Sequence, residues 1–351
     1  MRILFTGGGT AGHVTPNLAL MATLAEQGDE IHYAGSRDGI ERELVASTGA
    51  RYHVLPTGKL RRYLSLENLT DLFRVLAGIG VGWRLCRRLK PQLVFSKGGF
   101  VSVPVVLGAR LAGIPVIAHE SDLTPGLATR IVARFVAVVC TNFPETRVAG
   151  ARRLEYTGSP IRRGLLAGDR ARGLAFAGLA GERPVLMIVG GSLGSAFLNA
   201  RVRTLLPQLL ERFEIIHVCG RGNTDPDAAR PGYAQFEFVT EPFADLLAAA
   251  DLVLSRAGAN ALMELVAARR PMLLVPLTTA GSRGDQIENA DWAVAHGLAR
   301  RVVESELEGT ALVDELDALL AQREDLDRAL AGFELPDASS RLLELIREQV
   351  R

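Results

Sequence analysis

The sequence predicts an α/β protein of two lobes, each built on a parallel sheet, and three observations carry that prediction. Short, wholly apolar runs alternate with longer helical patterns from end to end, as parallel strands buried on both faces require. A strand leading through a glycine-rich turn into a helix occurs once near residue 6 and again near residue 190. The length, 351 residues, exceeds what one ordinary core serves and is comfortable for two.

Taken in order, strands are expected at 2–6, 30–34, 52–55, 93–96, 116–119 and 136–140, with helices at 16–26 and 103–112. The second half restarts the same grammar with the apolar run 184–189. The turn Gly190-Gly191-Ser192-Leu193-Gly194-Ser195 follows, then a helix through Leu206. Further strands are expected at 214–218, 236–239, 252–255 and 272–275. The stretch 164–183, rich in Gly, Ala and Arg, adjoins the boundary, which puts the linker near 160–164. The lobes are therefore read as 1–161 and 164–335, with a last helix within 338–351 packing back on the first.

Bulk composition removes several function classes. Hydrophobic residues make up 48% and charged residues 23%, the balance of a soluble globular protein. Lys and Arg total 40 against 39 acidic residues, so there is no basic excess to indicate a nucleic-acid partner. Cys86, Cys140 and Cys219 are far apart, without a CxxC pair, which argues against structural zinc and a disulfide framework. The N-terminus lacks the layout of a signal peptide, and no apolar run is long enough to span a bilayer. A cytosolic chain that can still touch a membrane is expected.

The turn Thr6-Gly7-Gly8-Gly9-Thr10-Ala11-Gly12-His13 suits an anion, because glycines let backbone approach a ligand and a helix N-terminus offers free N–H groups. A tight turn that binds nothing is the lesser alternative from spacing. A dinucleotide dehydrogenase would add an acid at the tip of the second strand, where this chain has Tyr33-Ala34-Gly35-Ser36. His13, directly after the turn, is matched to proton transfer near neutral pH.

More than spacing is present in these residues. The run from Gly7-Gly8-Gly9-Thr10-Ala11-Gly12-His13 to Val14-Thr15-Pro16 resembles the N-terminal signature of the MurG family. These transferases add N-acetylglucosamine to lipid I to make lipid II in peptidoglycan synthesis. The likeness continues, in order, through Lys97-Gly98-Gly99-Phe100, His119-Glu120-Ser121-Asp122, Gly158-Ser159-Pro160-Ile161-Arg162 and Gly190-Gly191-Ser192-Leu193-Gly194. Beyond these come Ser255-Arg256-Ala257-Gly258-Ala259-Asn260 with Glu264, and Asp285-Gln286-Ile287-Glu288-Asn289-Ala290.

The resemblance implies the GT-B fold, two Rossmann-like domains with parallel sheets facing across a cleft, with UDP-N-acetylglucosamine mainly on the second. By matched position, Ser192 and Arg162 face the diphosphate and Phe243 lies against the uracil. Ala259, Asn260, Ala261, Leu262 and Glu264 form a loop and helix start, with Glu264 on the ribose. Gln286 and Asn289 reach the sugar, while Thr10, Gly12 and His13 complete the site from the first lobe. UDP-N-acetylglucosamine is a substrate, and no cofactor or metal is implied. The pairs Asp225–Asp227 and Asp325–Asp327 are read as surface features. For the proton acceptor His13 comes first, with Glu120 and Asp122 as rivals.

The family often has His-Glu-Gln-Asn where this chain has His119-Glu120-Ser121-Asp122, and an aromatic where it has Glu288. Such forms resemble a branch that can coexist with a main copy, and they leave the acceptor open. A polyprenyl-diphosphate acceptor needs an anionic membrane surface. From Leu66 to Leu89, the apolar stripe Leu69, Leu72, Phe73, Leu76, Ile79, Trp83 and Cys86 is read as core-facing. Lys59, Leu60, Arg61, Arg62, Tyr63 and Leu64 are the membrane candidate. The competing functions are transfer to another acceptor, UDP-N-acetylglucosamine 2-epimerisation, and UDP-sugar sensing without catalysis.

Overall fold

The computed structural model describes residues 1–56, 66–162, 164–279 and 282–350, with backbone only for 66–72. The expected membrane cluster at 59–64 lies outside the described residues. Two compact units divide the chain: Met1–Arg162 with Pro336–Arg351, and Arg163–Leu335.

Unit 1 holds seven strands: β1 (Arg2–Thr6), β2 (Glu30–Gly35), β3 (Arg51–Val54), β4 (Leu93–Ser96), β5 (Val116–Glu120), β6 (Val138–Thr141) and β7 (Leu154–Tyr156). They form one parallel sheet in the order β3-β2-β1-β4-β5-β6-β7. Unit 2 holds β8 (Val185–Val189), β9 (Glu214–Val218), β10 (Tyr233–Phe236), β11 (Leu252–Ser255), β12 (Met272–Leu274) and β13 (Arg300–Arg301), ordered β10-β9-β8-β11-β12-β13. In both sheets the order reverses beside the first strand, between β1 and β4 and between β8 and β11. Loops at the carboxyl ends of those strands are where such sheets receive ligands.

The central strands are short and continuously apolar because both faces are covered. In unit 1, Ile3, Phe5, Phe95 and Ile117 meet one layer of buried side chains, and Leu4, Val94, Val116 and Val139 meet another. The first layer includes Leu342, Leu345 and Ile346 of the helix Ala338–Val350, which has crossed back from the far end of the sequence. Glu155 holds the same helix through Arg341. Unit 2 closes its own core around Leu186, Ile188, Leu252 and Leu273.

Three expectations are corrected. The strand expected at 236–239 lies at Tyr233–Phe236, in register with Ile215–Val218 of β9. It is an edge strand with one covered side, so its composition is weakly apolar, while Phe238 beyond it is 43% exposed. The helix expected to run through Leu206 ends at Thr204, and Leu206–Arg212 is a separate helix with Pro207 in its first turn, where the missing N–H costs nothing.

The helix Leu66–Leu89 buries Val75, Leu85 and Cys86 together with Gly78 and Gly82, leaving Phe73, Leu76 and Trp83 exposed. The glycines let it approach the helix Ser102–Leu111 closely: a Cβ on Gly82 would lie 3.0 Å from the Pro104 carbonyl. A seam of small residues forms this contact, and of the expected stripe Cys86 faces the core while Phe73, Leu76 and Trp83 do not. Two short strands, β7 and β13, have no counterpart in the apolar pattern at all.

The docking of the last helix yields a stability prediction. Leu345 is fully buried, so Leu345→Ala should destabilise unit 1 by about 2–5 kcal/mol, read as a lowered urea midpoint of that unit with the unit 2 transition unmoved. A change below about 0.5 kcal/mol would mean the helix contributes little to that core.

Candidate functional site

In unit 2 the loop after β8 turns on Gly194, at φ +76°, where a Cβ would run into the Cys219 carbonyl. Ser195 then caps the helix Ala196–Thr204, its Oγ accepting from Leu198 N at 3.2 Å. The remaining N–H groups of the first helical turn have no partner within a helix, and they start beside a cavity of about 400 Å³. Gly190, Gly191, Gly194 and Ser195 line it from this loop, and Ala261, Leu277 and Gln286 from elsewhere in the unit. Ser192 is half-buried in the same turn.

Arg256, at the carboxyl end of β11, is the only charged side chain among the described lining residues. It is 7% exposed. Its Nη1 donates to the Val275 carbonyl at 3.0 Å, and its Nη2 donates to Ser195 Oγ at 2.7 Å and to Glu304 Oε1 at 2.5 Å. One guanidinium thus ties the helix cap, the end of β12 and the turn Glu304–Glu306. Sequence reading passed over Arg256 as one letter of a motif. A cation at the end of an otherwise apolar strand was the available signal.

Several expected donor residues lie inside the turn rather than on the cavity. Leu262 is fully buried and its N–H bonds the Gly258 carbonyl, while Ala259 is 4% exposed, so both shape the turn from inside. Asn289 is fully buried and its Nδ2 donates to the Ala257 carbonyl at 3.2 Å. The expected pair of amides on one helix face therefore splits, with Gln286 on the cavity and Asn289 behind its wall. Gln286 Oε1 accepts from Leu277 N at 3.1 Å. Asn260, Ala261 and Glu264 are partly exposed on the helix Ala259–Ala267, and Phe243 opens the helix Phe243–Ala249. Asp225 accepts from Asp227 N as a turn cap, and Asp325 and Asp327 pair with Arg328 and Arg323.

In unit 1 the carboxyl ends of β1, β4 and β5 lie side by side. Thr10 and Gly12 sit on the first of these loops, Thr10 exposed and its carbonyl accepting from His13 N. The His13 ring lies on the Gly98-Gly99 backbone, with a Cβ on Gly99 falling 3.1 Å from its Cδ2. Its Nδ1 is buried and makes no hydrogen bond to the described residues. Burial lowers the His13 pKa, and Lys97 adds to that, while Asp122, Glu120 and the Lys97 carbonyl oppose it. The imidazole is therefore neutral at neutral pH, the form that accepts a proton.

Lys97 is the group that sequence reading missed here. It is 1% exposed, and Nζ lies 2.7 Å from both His119 Nδ1 and Ser121 Oγ. His119 Nε2 is 2.7 Å from the Gly158 carbonyl, which can only accept. The proton is thus on Nε2, and Lys97 donates to the bare Nδ1. Burial pushes the Lys97 pKa down to about 7 against the pull of Glu120, Asp122 and Cys140.

Glu120, the rival for the base, is engaged with backbone N–H groups. Its Oε1 accepts from Ser121 N and Asp122 N, and its Oε2 from Gly126 N at 3.0 Å, so both oxygens organise the following turn. Asp122 is partly buried on that turn. Arg162, the last residue of the first segment of unit 1, is half-buried.

The comparisons with known proteins agree with this division. Residues 3–141 match the glycosyltransferase family 28 N-terminal domain, and residues 185–342 its C-terminal domain. The chain is 48% identical over 349 residues to a Lachnoclostridium phytofermentans protein, covering 99% of this chain and 98% of the relative. A Clostridium botulinum protein is 46% identical over 353 residues, covering 100% and 99%. Both are named UDP-N-acetylglucosamine--N-acetylmuramyl-(pentapeptide) pyrophosphoryl-undecaprenol N-acetylglucosamine transferase. Among solved structures, MurG of Acinetobacter baumannii superposes with a TM-score of 0.77 at 26% identity over 99% of each chain. The kitacinnamycin glycosyltransferase, at 18% identity and TM-score 0.70, shares the fold.

A buried lysine makes stability depend on pH. The unfolded chain holds the Lys97 proton up to about pH 10.4, whereas the folded chain releases it near pH 7. The unfolded state binds more protons in that window, so unit 1 stability should rise with pH across it. Lys97→Met should flatten the rise, read from Trp83 fluorescence during urea unfolding in a Trp292→Phe background. An unchanged slope would mean the ammonium stays charged in the fold.

Proposed function

The chain belongs to glycosyltransferase family 28, and from that premise we propose the reaction and the residues that serve it. It transfers N-acetylglucosamine from UDP-N-acetylglucosamine to lipid I, making lipid II in peptidoglycan synthesis. The observation that carries this reading is identity of 46–48% over essentially the full length of relatives named for that transfer. The seven ordered motifs named above agree with it.

In this reading unit 2 holds the donor. The diphosphate rests on the backbone N–H groups of the loop 190–195, with Ser192 beside it and Arg256 fixing the loop from beneath. Glu264 takes the ribose hydroxyls, Phe243 the uracil and Gln286 the sugar. Arg162 adds positive charge to the leaving group. Donors aimed at the departing diphosphate act most strongly where negative charge develops, and no metal is invoked for that role. Unit 1 serves the acceptor. Its hydroxyl attacks C1 of the donor sugar as the bond to UDP breaks, and His13, neutral at working pH, takes the hydroxyl proton.

The acceptor is a lipid, and unit 1 has a surface suited to one. Phe73, Leu76 and Trp83 are exposed on a single helix, with Arg87 over the Trp83 ring at 6.0 Å. Arg84, Arg88 and Lys90 lie alongside. Exposed apolar side chains flanked by cations bind the headgroup region of anionic membranes. Among the described residues no helix is long and apolar enough to cross a membrane. We infer peripheral attachment at the cytoplasmic face.

Incubation of the purified protein with UDP-N-acetylglucosamine, with and without lipid I, tests the reaction. Lipid II with stoichiometric UDP release, only when lipid I is present, is the expected result. N-acetylmannosamine formed without acceptor would replace transfer by epimerisation, and donor binding without turnover would replace lipid I by another acceptor. His13→Ala should lower kcat by about 10²- to 10⁴-fold while UDP affinity changes by less than about twofold. Unaltered kcat would remove His13 as the proton acceptor.

A further inference from the structure

Glu41 does not figure in any of the roles above, yet its carboxylate is fully buried against the first glycine loop. Oε1 accepts from Ser36 N at 2.9 Å and from Ser36 Oγ at 2.5 Å, and Oε2 accepts from Gly9 N at 3.3 Å. A Cβ on Gly8 would lie 2.6 Å from Glu41 Cδ, so the carboxylate rests directly on the loop backbone. Tyr33 and Tyr52 brace both sides, donating to the Gly7 carbonyl at 2.8 Å and the Ser36 carbonyl at 2.7 Å. Ser36 directly follows the second strand, the place where a dinucleotide-binding unit carries its acid. Here an acid reaches that place from five residues further on, and it points inward at the glycines.

A glycine loop beside a helix gathers backbone N–H groups that attract an anion. We propose that Glu41 is the built-in anion of the first glycine loop. It holds the turn that positions His13, and it refuses a nucleotide diphosphate there by occupying the place and its charge. The loop 190–195 has the opposite character, with a cavity before it and a cation as its only described charged lining residue. Two loops that look alike in sequence are therefore different in charge, and Glu41 determines which of them takes the donor. The inference rests on the reading above only for the identity of the refused anion. Glu41 is a positioning and specificity residue, since it reaches the reacting groups through the loop.

The test removes the carboxylate and returns it as a solute. Glu41→Ala in the full chain should melt at lower temperature. Added formate should raise its Tm in proportion to the logarithm of formate concentration, as a ligand of the folded state does. Equal chloride should not act, and neither the wild type nor Glu41→Gln, whose side chain still fills the space, should respond. Formate should also restore turnover with lipid I by about tenfold or more, and pyrophosphate should bind Glu41→Ala in competition with formate. If Glu41→Ala does not fold alone, refolding from urea with and without formate gives the same answer. Recovery in formate supports the proposal. No response of the folded or refolding variant to formate, or an equal response in Glu41→Gln, would overturn it. The melting readout requires nothing of the transferase reading, so failure of lipid II synthesis and failure of this inference are separable.

Discussion

A parallel strand that ends in a glycine-rich turn delivers backbone N–H groups to the edge of its sheet, and those groups need acceptors. Both units meet this constraint at the reversal of strand order, and they meet it differently. In unit 1 the acceptor is internal: the Glu41 carboxylate lies on Gly8 and Gly9. In unit 2 the turn is tied from below by Ser195 and Arg256, and its front faces an open cavity. The same local grammar therefore builds one closed turn that carries His13 and one open turn suited to a diphosphate.

Around His13 the charges are balanced from several elements at once. Lys97 at the end of β4 is buried between His119 on β5 and Ser121 after it. Glu120 binds the backbone of the turn on which Asp122 sits. Asp122 and Glu120 raise the pKa of the imidazole and Lys97 lowers it, and burial, the largest influence, favours the neutral ring. Removal of any one of these groups changes the charge of the others' surroundings, which makes the cluster a unit rather than a set of independent residues.

The fold was largely legible because parallel strands buried on both faces leave continuous apolar runs, and Arg2–Thr6, Leu93–Ser96, Glu214–Val218 and Leu252–Ser255 have the bounds their sequence predicts. Edge strands lack that signature: β10 was displaced and β7 and β13 unseen, since a strand covered on fewer sides carries fewer apolar residues. The helix seam at Gly78 and Gly82 was misread for a related reason, because close packing of small residues leaves no hydrophobic periodicity. Motif order located the loops of both sites. It could not separate a residue that lines a cavity, such as Gln286, from one that holds its wall, such as Asn289. That distinction is set by which way a helix face points. Glu41 and Lys97 were invisible as site residues because Gly9 lies far from the first in sequence, and His119 and Ser121 far from the second.

The central claim is that the two glycine loops have divided, with the nucleotide on the second alone. Hydrogen exchange of the intact protein with and without UDP reads both loops in one experiment. Slowed exchange in residues 190–199 and 256–264, with 7–13 unchanged, is what the division predicts. Protection of 7–13 by UDP, with 190–199 unaffected, would contradict it.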